Sequence, residues 1–408
     1  MTPAEVKLVL VLGAVFLAWL GVSLYVVITR AIYDVRERAA GAAREALAAR
    51  VAGLVERNER GEDFDDVVRR LPRRLVERIA SDASTPESIA GAFAAHALAR
   101  NATGLCRRAA AHRDEATKWR RIAALRILAR ARAPEADELL ERALDDRDED
   151  VVAATVAILG SLGSERAARA LVDALRRDVY SASRIATQLD ELDAEVPHLI
   201  LPLLVDYEPR LRFWGAQLLA RYAKYLGVDV ALASLAGDAE PSVRAAAVES
   251  LAGARSSAAL ATAIGLLDDD VWWVRAHAVR ALAGFDRDDV AAYVAPLLGD
   301  EQWWVRTAVK EALEARGAEA ADVLLPYLDA DDEFARNGAA EVLQNTAVLD
   351  ELVAEVALNP EEGDSAEIVR KILGAGGPRT LAAALERADP GARSRVLELA
   401  AAGEPDQG

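Results

Sequence analysis

Two patterns of hydrophobic positions divide the chain, one continuous and one periodic. From Leu8 to Ile28 every residue is uncharged and most are apolar. A helix rises 1.5 Å per residue, so this run of 21 residues spans about 30 Å, the thickness of the hydrocarbon core of a bilayer. The run predicts a single transmembrane anchor within residues 1–29. After it, apolar residues recur at helical spacing, which predicts a helical body.

The charges beside the apolar run predict its orientation. Residues 1–7 contain one lysine, Lys7, whereas residues 29–50 contain five arginines. Lys and Arg concentrate on the cytoplasmic side of transmembrane helices. The body of the protein is therefore predicted to be cytoplasmic, with residues 8–28 in contact with membrane lipid. A cleaved signal peptide is the alternative; the length of the run and the absence of a small-residue cleavage pattern favour the anchor.

Helical segments without a clear repeat follow the predicted anchor. Small apolar residues at alternating spacings of three and four predict a membrane-proximal helix over residues 30–60. A self-associating stalk is the alternative, although a seam of alanine buries little apolar area. Residues 61–118 are predicted to form a helical linker and N-terminal cap. Five arginines between residues 67 and 79 either contact anionic lipid or lie in water on an amphipathic helix.

A repeat of about 31 residues occupies residues 119–390. The segments Val243–Ala252, Val274–Ala283 and Val305–Glu314 align without gaps. Each unit predicts a first helix with apolar residues at helical spacing and a second helix that ends before an acidic turn. Such a unit cannot bury its own apolar face, so neighbouring units must stack. We predict an all-α fold, an α-solenoid of eight to nine helical hairpins, closed by a C-terminal cap and tail over residues 391–408.

One position of the repeat can be followed through eight units, in steps of 29 to 32 residues. It is occupied by Arg121, Val152, Ser181, Arg212, Arg244, Arg275, Arg306 and Arg336. Acidic residues such as Asp238 and Asp300 stand just upstream of the arginine in the following unit. Because arginine forms bidentate pairs with carboxylates, the six arginines predict a structural ladder between neighbouring repeats. A row of ligand-binding arginines is the alternative.

The repeat carries a recognisable signature. The run Asp-x-x-x-x-Val-Arg-x-x-Ala-Val-x-x-Leu is present as Asp238–Leu251 and Asp269–Leu282, with a related run at Asp300–Leu313. It resembles the short HEAT repeats of the phycobilisome-lyase-like type. Enzymes built on such repeats include deoxyhypusine hydroxylases, which bind two irons through His-Glu pairs, and bilin lyases. This chain contains no His-Glu dipeptide and no motif that points to a bilin.

Two pairs of tryptophans begin the first helices of neighbouring units. Adjacent residues of a helix point about 100° apart, so at least one indole of each pair is predicted to be exposed. An aromatic patch of this kind suits the anchoring of a partner protein, whereas the alternative is a tryptophan that fills a gap between repeats. The candidate partner-binding residues are Trp214, Trp272, Trp273, Trp303, Trp304 and Phe334.

The same tryptophans carry a second resemblance. The Trp-Trp-Val-Arg pattern is similar to that of membrane-anchored bacterial HEAT proteins, some of them linked with envelope polysaccharide synthesis. This resemblance implies a special case of a scaffold, the regulatory subunit of a membrane glycosyltransferase.

Charge and composition narrow the classes of function. Residues 1–118 contain 18 Lys+Arg and 15 Asp+Glu, so the whole-chain totals of 49 and 66 leave 31 against 51, a net charge of −20, for residues 119–408. An acidic surface repels phosphate backbones, and we predict no nucleic-acid partner. The single cysteine excludes an internal disulfide, and no phosphate-loop, metal-binding or nucleophile–base motif occurs.

These observations together predict a non-enzymatic, membrane-anchored scaffold without cofactor or metal. It is expected to dock another protein at the cytoplasmic face of the membrane. The alternative is an enzyme, bilin-lyase-like or other, built on the same repeats. The oligomeric state is left open by the sequence.

Overall fold

The fold is helical throughout the residues that the computed structural model describes. These are residues 68–111, 115–192, 196–225, 227–346, 348–358 and 364–387, with Gly53 and residues 390–391, 393–394 and 397–398. No strand occurs within them. The predicted anchor over residues 8–28 lies outside the described residues, as do most of the predicted helix 30–60 and most of the tail 391–408. Among the described helices, none is long and apolar enough to cross a membrane.

The chain divides into two compact units between Leu162 and Gly163. The described helices of unit 1 are α1 (Arg73–Ser81), α2 (Glu87–Ala109), α3 (Glu115–Arg130), α4 (Ala136–Ala143) and α5 (Glu149–Leu162). Helix α2 packs against α1 and α3, and α3 packs against α5. The division follows packing, whereas the predicted boundary between residues 118 and 119 follows the start of the repeat.

Arginines of α3 hold the C-terminal end of α1. Arg126 Nη1 donates to the carbonyl oxygen of Ser81 at 2.7 Å. Arg130 Nη1 donates to the carbonyls of Ala80 and Asp82 at 3.0 and 2.8 Å. The last carbonyls of a helix have no partner inside it and carry a partial negative charge, so these guanidinium groups stabilise the helix end.

Unit 2 repeats one helical hairpin. Its helices are α6 (Glu165–Arg177), α7 (Ala182–Asp190), α8 (Pro197–Ile200), α9 (Pro209–Leu219), α10 (Val228–Ala233), α11 (Pro241–Leu251), α12 (Ser257–Gly265), α13 (Trp272–Ala283), α14 (Val290–Val294), α15 (Trp303–Glu314), α16 (Ala321–Leu324), α17 (Glu333–Asn345), α18 (Val348–Leu358) and α19 (Asp364–Arg387). First helices lie side by side in the order α9, α11, α13, α15, α17. In α13 the apolar stripe of Val274, Val279 and Leu282 is fully buried. The predicted all-α fold of stacked hairpins is confirmed.

Most second helices of unit 2 tighten into a 3₁₀ segment before the turn to the next repeat. The segments are Leu201–Val205, Ser234–Gly237, Leu266–Asp268, Ala295–Gly299 and Leu325–Asp329. Pro202, Pro296 and Pro326 lie near the start of three of them. Proline lacks the N–H that an α-helix needs in its interior, so the change of helix type follows from these residues.

One repeat departs from the predicted register. The arginine position is the fourth residue of α9 and α11, whereas Ser181 precedes α7 as its N-cap residue. The fourth residue of α7 is Ile185, which is fully buried. The predicted position Ser181 therefore lies just before its helix, whereas the arginines lie within theirs.

Candidate functional site

Arginines at the fourth position of the first helices join neighbouring repeats of unit 2. Three of them donate from Nε and Nη2 to both carboxylate oxygens of an aspartate in the next repeat, at distances of 2.6 to 2.8 Å. The pairs are Arg212–Asp238, Arg244–Asp269 and Arg275–Asp300. Each pair is a bidentate, charge-assisted contact, which is among the stronger hydrogen-bond geometries in proteins. We call each pair a rung and the series the arginine ladder.

The third nitrogen of each arginine binds its own repeat. Nη1 of Arg244 donates to the carbonyl oxygen of Asp238, six residues earlier, at 2.9 Å. Nη1 of Arg275 donates likewise to the carbonyl of Asp269 at 2.8 Å. Asp269 Oδ1 also accepts the backbone N–H of Val271 at 2.9 Å. Each inter-repeat turn is therefore held by two arginines, one at its carboxylate and one at its backbone.

The arginines lower the pKa of two rung aspartates, Asp238 and Asp269. The hydrogen bond from Arg212 is the main cause that holds the pKa of Asp238 below its usual value. Burial opposes ionisation of Asp269, but the hydrogen bonds from Arg244 and from the Val271 amide outweigh it and lower its pKa. The same hydrogen bond raises the pKa of Arg244.

Unit 1 contains a more deeply buried rung. Arg121 Nη2 donates to Asp146 Oδ1 at 2.9 Å, and its Nη1 donates to Thr117 Oγ1 at 3.2 Å. The two charged side chains expose only 4% and 3% of their surface. Asp146 also accepts the backbone N–H of Asp148 at 2.9 Å. The next first helix, α5, has the buried Val152 at the arginine position instead.

The ladder changes at Arg306. The residue at the position of the rung aspartates is here Ala330, and Arg306 makes no ion pair with any residue that the structure describes. Its Nη1 donates to the carbonyls of Asp300 and Glu301 at 2.7 and 3.2 Å. Its guanidinium group lies over the ring of Phe334, 4.0 Å from the centroid. We call this the open rung.

The last arginine of the series, Arg336, holds the turn of its own repeat. Its Nη1 donates to the carbonyl oxygen of Ala330 at 2.7 Å. The corresponding carboxylate position for Arg336 falls in the range 359–363, which lies outside the described residues.

The N-terminal ends of α13, α15 and α17 carry exposed aromatic rings. Trp303, Trp304 and Phe334 leave 54%, 53% and 54% of their surface exposed. Trp272 is exposed to a lesser degree, and Trp273 is half-buried. The rings of Trp303 and Trp304 meet edge to face, with centroids 4.6 Å apart and an angle of 72°. The helices α13, α15 and α17 are neighbours, and we call these five residues together the aromatic edge.

Trp214 has a different placement. It is the sixth residue of α9, two repeats before α13, and it is half-buried. Its ring meets that of Phe213 edge to face at 5.2 Å and 81°. The structure therefore does not bring Trp214 to the helix ends that form the aromatic edge.

Other exposed apolar residues were not predicted from the sequence. Val205 and Tyr207 of unit 2 and Trp119 of unit 1 are largely exposed. Aligning the turns would have revealed Tyr207, because the residue after the rung aspartate is alanine or acidic in the following repeats, as in Ala239 and Asp270. The same alignment would have shown that Ala330 replaces an aspartate.

The described residues offer little for metal or small-molecule chemistry. No group of three or more His, Cys, Asp or Glu side chains within them could hold a metal ion. A cleft of about 510 Å³ in unit 1 is lined by Arg126 and Arg130 among others. Both guanidinium groups already bind the end of α1 there.

Comparisons with known proteins concern the repeats. The sequence profile described as HEAT repeats matches residues 103–189, 228–313 and 265–344. No curated protein matches the chain. The solved structures similar to it include the CpcE–CpcF complex of phycocyanin lyase from Nostoc, at 20% identity over 52% of this chain and 96% of that chain, with a TM-score of 0.31.

Two further structures show similarity at lower identity. An engineered protein is 17% identical over 81% of this chain and 99% of that chain, with a TM-score of 0.33. Kap121p is 12% identical over 79% of this chain and 44% of its own, with a TM-score of 0.46. At these identities the similarity concerns the fold alone. The profile matches together cover half of the chain, and the chain belongs to the HEAT-repeat family.

Proposed function

We propose that this protein is a non-enzymatic HEAT-repeat scaffold that docks a partner protein on its aromatic edge at the cytoplasmic face of a membrane. The observation that carries the proposal is the exposure of Trp303, Trp304 and Phe334, each by more than half of its surface. Burial of apolar surface gains about 25 cal/mol per Å². Tryptophan is also among the residue types that dominate binding energy at protein interfaces.

The arginine ladder supports a role of this surface in binding. The rung between Arg275 and Asp300 joins α13 to the turn that precedes α15, immediately beside the exposed rings. It fixes the first turns of these two helices relative to each other. A surface that is already ordered loses less conformational entropy when a partner binds. The helices that carry the aromatic edge are therefore joined to each other by the ladder.

The test of docking is capture from detergent-solubilised native membranes. The full chain is used as bait, beside a variant with the four substitutions W272A, W273A, W303A and W304A. We expect a membrane-associated protein to co-purify with the wild type and to be lost with the variant. The control is W119A, which removes an exposed tryptophan of unit 1 and should retain the partner. Circular dichroism checks that the variants keep their helicity.

Two results would contradict docking on the aromatic edge. Equal recovery from the wild type and from the four-substitution variant would move the binding surface to another face of the repeats. Loss of helicity in the variant would show that the tryptophans serve packing between repeats.

The membrane part of the proposal rests on sequence. The uncharged run over residues 8–28 and the five arginines in residues 29–50 support an anchor with a cytoplasmic body. Fusions of a fluorescent protein and of alkaline phosphatase to the C-terminus test the orientation. A fluorescent first fusion and an inactive second one are expected in cells; the opposite pair would place the body outside the cytoplasm.

The non-enzymatic part is tested on the purified full chain. We expect an absorption spectrum without bands above the protein absorption and no metal at a stoichiometric level. A retained chromophore or metal would favour an enzyme on HEAT repeats instead.

A further inference from the structure

We propose that the open rung at Arg306 binds the carboxylate of an Asp or Glu side chain of the partner protein. This assignment rests on the proposed function, because it specifies the chemistry of the partner that docks on the aromatic edge. Three preceding arginines of unit 2 each bind an aspartate through Nε and Nη2. At Arg306 the protein provides the arginine and omits the aspartate, so a partner's carboxylate completes the same contact.

The backbone of the open rung matches that of the closed ones. Ala330 has φ −64° and ψ 141°, compared with −63° and 141° for Asp238 and −62° and 139° for Asp269. Each of these residues follows a 3₁₀ segment and starts the turn to the next first helix. The replacement of aspartate by alanine therefore removes the carboxylate while the backbone that would have carried it keeps its conformation.

Arg306 is ordered in the absence of a carboxylate. Its Nη1 is held by the carbonyls of Asp300 and Glu301, and one face of the guanidinium group lies on Phe334. A guanidinium group stacks through its face and binds a carboxylate through its edge, so the contact with Phe334 is compatible with a bidentate pair. Because these contacts already restrain the Arg306 side chain, it loses little further conformational entropy when a carboxylate binds.

The electrostatics of the ladder favour a carboxylate at this position. In a closed rung, one whose aspartate is present, the positive charges of two arginines stabilise the carboxylate. For Asp269 these are Arg244, which it binds, and Arg275 of its own repeat. At the open rung the corresponding arginines are Arg306 and Arg336, whose Nη1 donates to the carbonyl of Ala330. A carboxylate beside Ala330 would thus lie in the field of two guanidinium groups.

Acidic residues beside a rung do not prevent an arginine–carboxylate pair, but they limit how acidic the partner segment can be. Asp268 and Asp270 flank Asp269 in the sequence, yet Arg244 holds the Asp269 carboxylate at 2.6 and 2.7 Å. At the open rung the exposed Asp329 and Asp331 flank Ala330 in the same way, and Asp329 binds Lys371 Nζ at 2.8 Å. They repel a densely acidic segment. The partner that fits is a segment with one carboxylate among apolar residues, which contact Trp303, Trp304 and Phe334.

The experiment is a peptide selection on the immobilised full chain. A random twelve-residue phage-displayed library is selected on the wild type, A330D, A239D and the double variant W303A/W304A. The A330D substitution supplies the protein's own carboxylate and closes the rung. The matched control A239D adds the same charge at an exposed turn residue beside the closed Arg212–Asp238 rung.

We expect peptides selected on the wild type to share one Asp or Glu among apolar residues. Replacing that residue by its amide should weaken binding about 10- to 100-fold, the range for a charge-assisted hydrogen-bonded contact. A330D should weaken the same peptides to a similar extent, and A239D should not.

The outcomes separate this inference from the proposed function. Peptides that bind without a carboxylate, or that bind A330D as well as wild type, overturn the open-rung assignment. If such peptides are nevertheless lost on W303A/W304A, docking on the aromatic edge stands. Peptides that ignore the tryptophans as well, or a selection that enriches none, count against both.

Discussion

Arg244 and Asp269 lie 25 residues apart in the chain and are joined by two parallel hydrogen bonds of 2.6 and 2.7 Å. The carbonyl of Asp269 in turn accepts a hydrogen bond from Arg275, which binds the aspartate of the following repeat. HEAT repeats contact only their neighbours, so their stability is a sum of repeat and interface contributions. The ladder adds a polar contribution to each of these interfaces beside the apolar core.

The first prediction concerns the closed rungs of unit 2. Asp269→Ala leaves the Arg244 guanidinium, which is largely buried, without its carboxylate. Breaking a fully buried ion pair costs 3–5 kcal/mol and an exposed pair 1 kcal/mol or less, so we expect a loss of about 2–3 kcal/mol for this rung. Urea unfolding followed by circular dichroism measures the change. The control is Asp268→Ala, one residue away and exposed; an equal effect of both substitutions would show that the rung contributes nothing of its own.

Much of this ladder could be predicted from the sequence, because its arginines recur with the repeat and acids recur upstream of them. The pairing of Arg275 with Asp300 needed only the assumption that consecutive repeats stack in parallel. The start of α7 could not be predicted, since Ser181 falls at the repeat spacing and yet precedes its helix. The contact of Arg306 with Phe334 could not be predicted either, because it depends on where the guanidinium group packs when no aspartate binds it.

The exposure of the aromatic edge could also be predicted only in part from the sequence. Adjacent tryptophans predict that one of each pair is exposed, and the structure exposes both Trp303 and Trp304 while Trp273 is half-buried. Identical sequence positions in neighbouring repeats thus differ in burial. The burial of each indole depends on tertiary packing, which a single sequence does not contain.

Acid should remove the contribution of the ladder. Hydrogen bonds from the rung arginines hold the pKa of Asp238 and of Asp269 in the folded protein below the usual value, which is about 3.9 for an unfolded aspartate. Stabilisation by these carboxylates is therefore complete above the unfolded pKa and is lost as the pH falls through the folded values. Urea midpoints of wild type and D238N/D269N should differ by a constant amount above about pH 5 and converge below about pH 4. A difference that persists unchanged to pH 2 would contradict the assignment.

The buried rung of unit 1 should be the most costly to break. Asp146→Ala leaves the Arg121 guanidinium, 4% exposed, without its carboxylate. For a buried pair we expect a loss of about 3–5 kcal/mol, more than for Asp269→Ala. Limited proteolysis with mapping of the first cuts can localise the effect to unit 1. The control is Asp145→Ala, and cuts that appear first in unit 2 would argue against a local role of Asp146.

Closing the open rung should stabilise unit 2. Ala330→Asp places a carboxylate on a backbone that already has the conformation of the rung aspartates. Arg306 needs no rearrangement to accept it, because its Nη1 and one face are already held. We expect a gain of about 1 kcal/mol in the free energy of unfolding, the value for a partly exposed pair with good geometry.

A double-mutant cycle distinguishes this pair from a general effect of charge. Arg306→Gln alone should lower stability, since it removes the hydrogen bonds to the carbonyls of Asp300 and Glu301 and the contact with Phe334, whereas Ala330→Asp should lose its gain in the Arg306→Gln background. The coupling free energy from the four urea curves then measures the new rung itself. Equal stabilisation by Ala330→Asp with and without Arg306 would mean that the aspartate acts by capping the turn alone, as Asp300 does when its Oδ1 accepts the N–H of Gln302 at 2.8 Å. A coupling near that of an intact rung would show that the repeat geometry at Arg306 is complete except for its carboxylate.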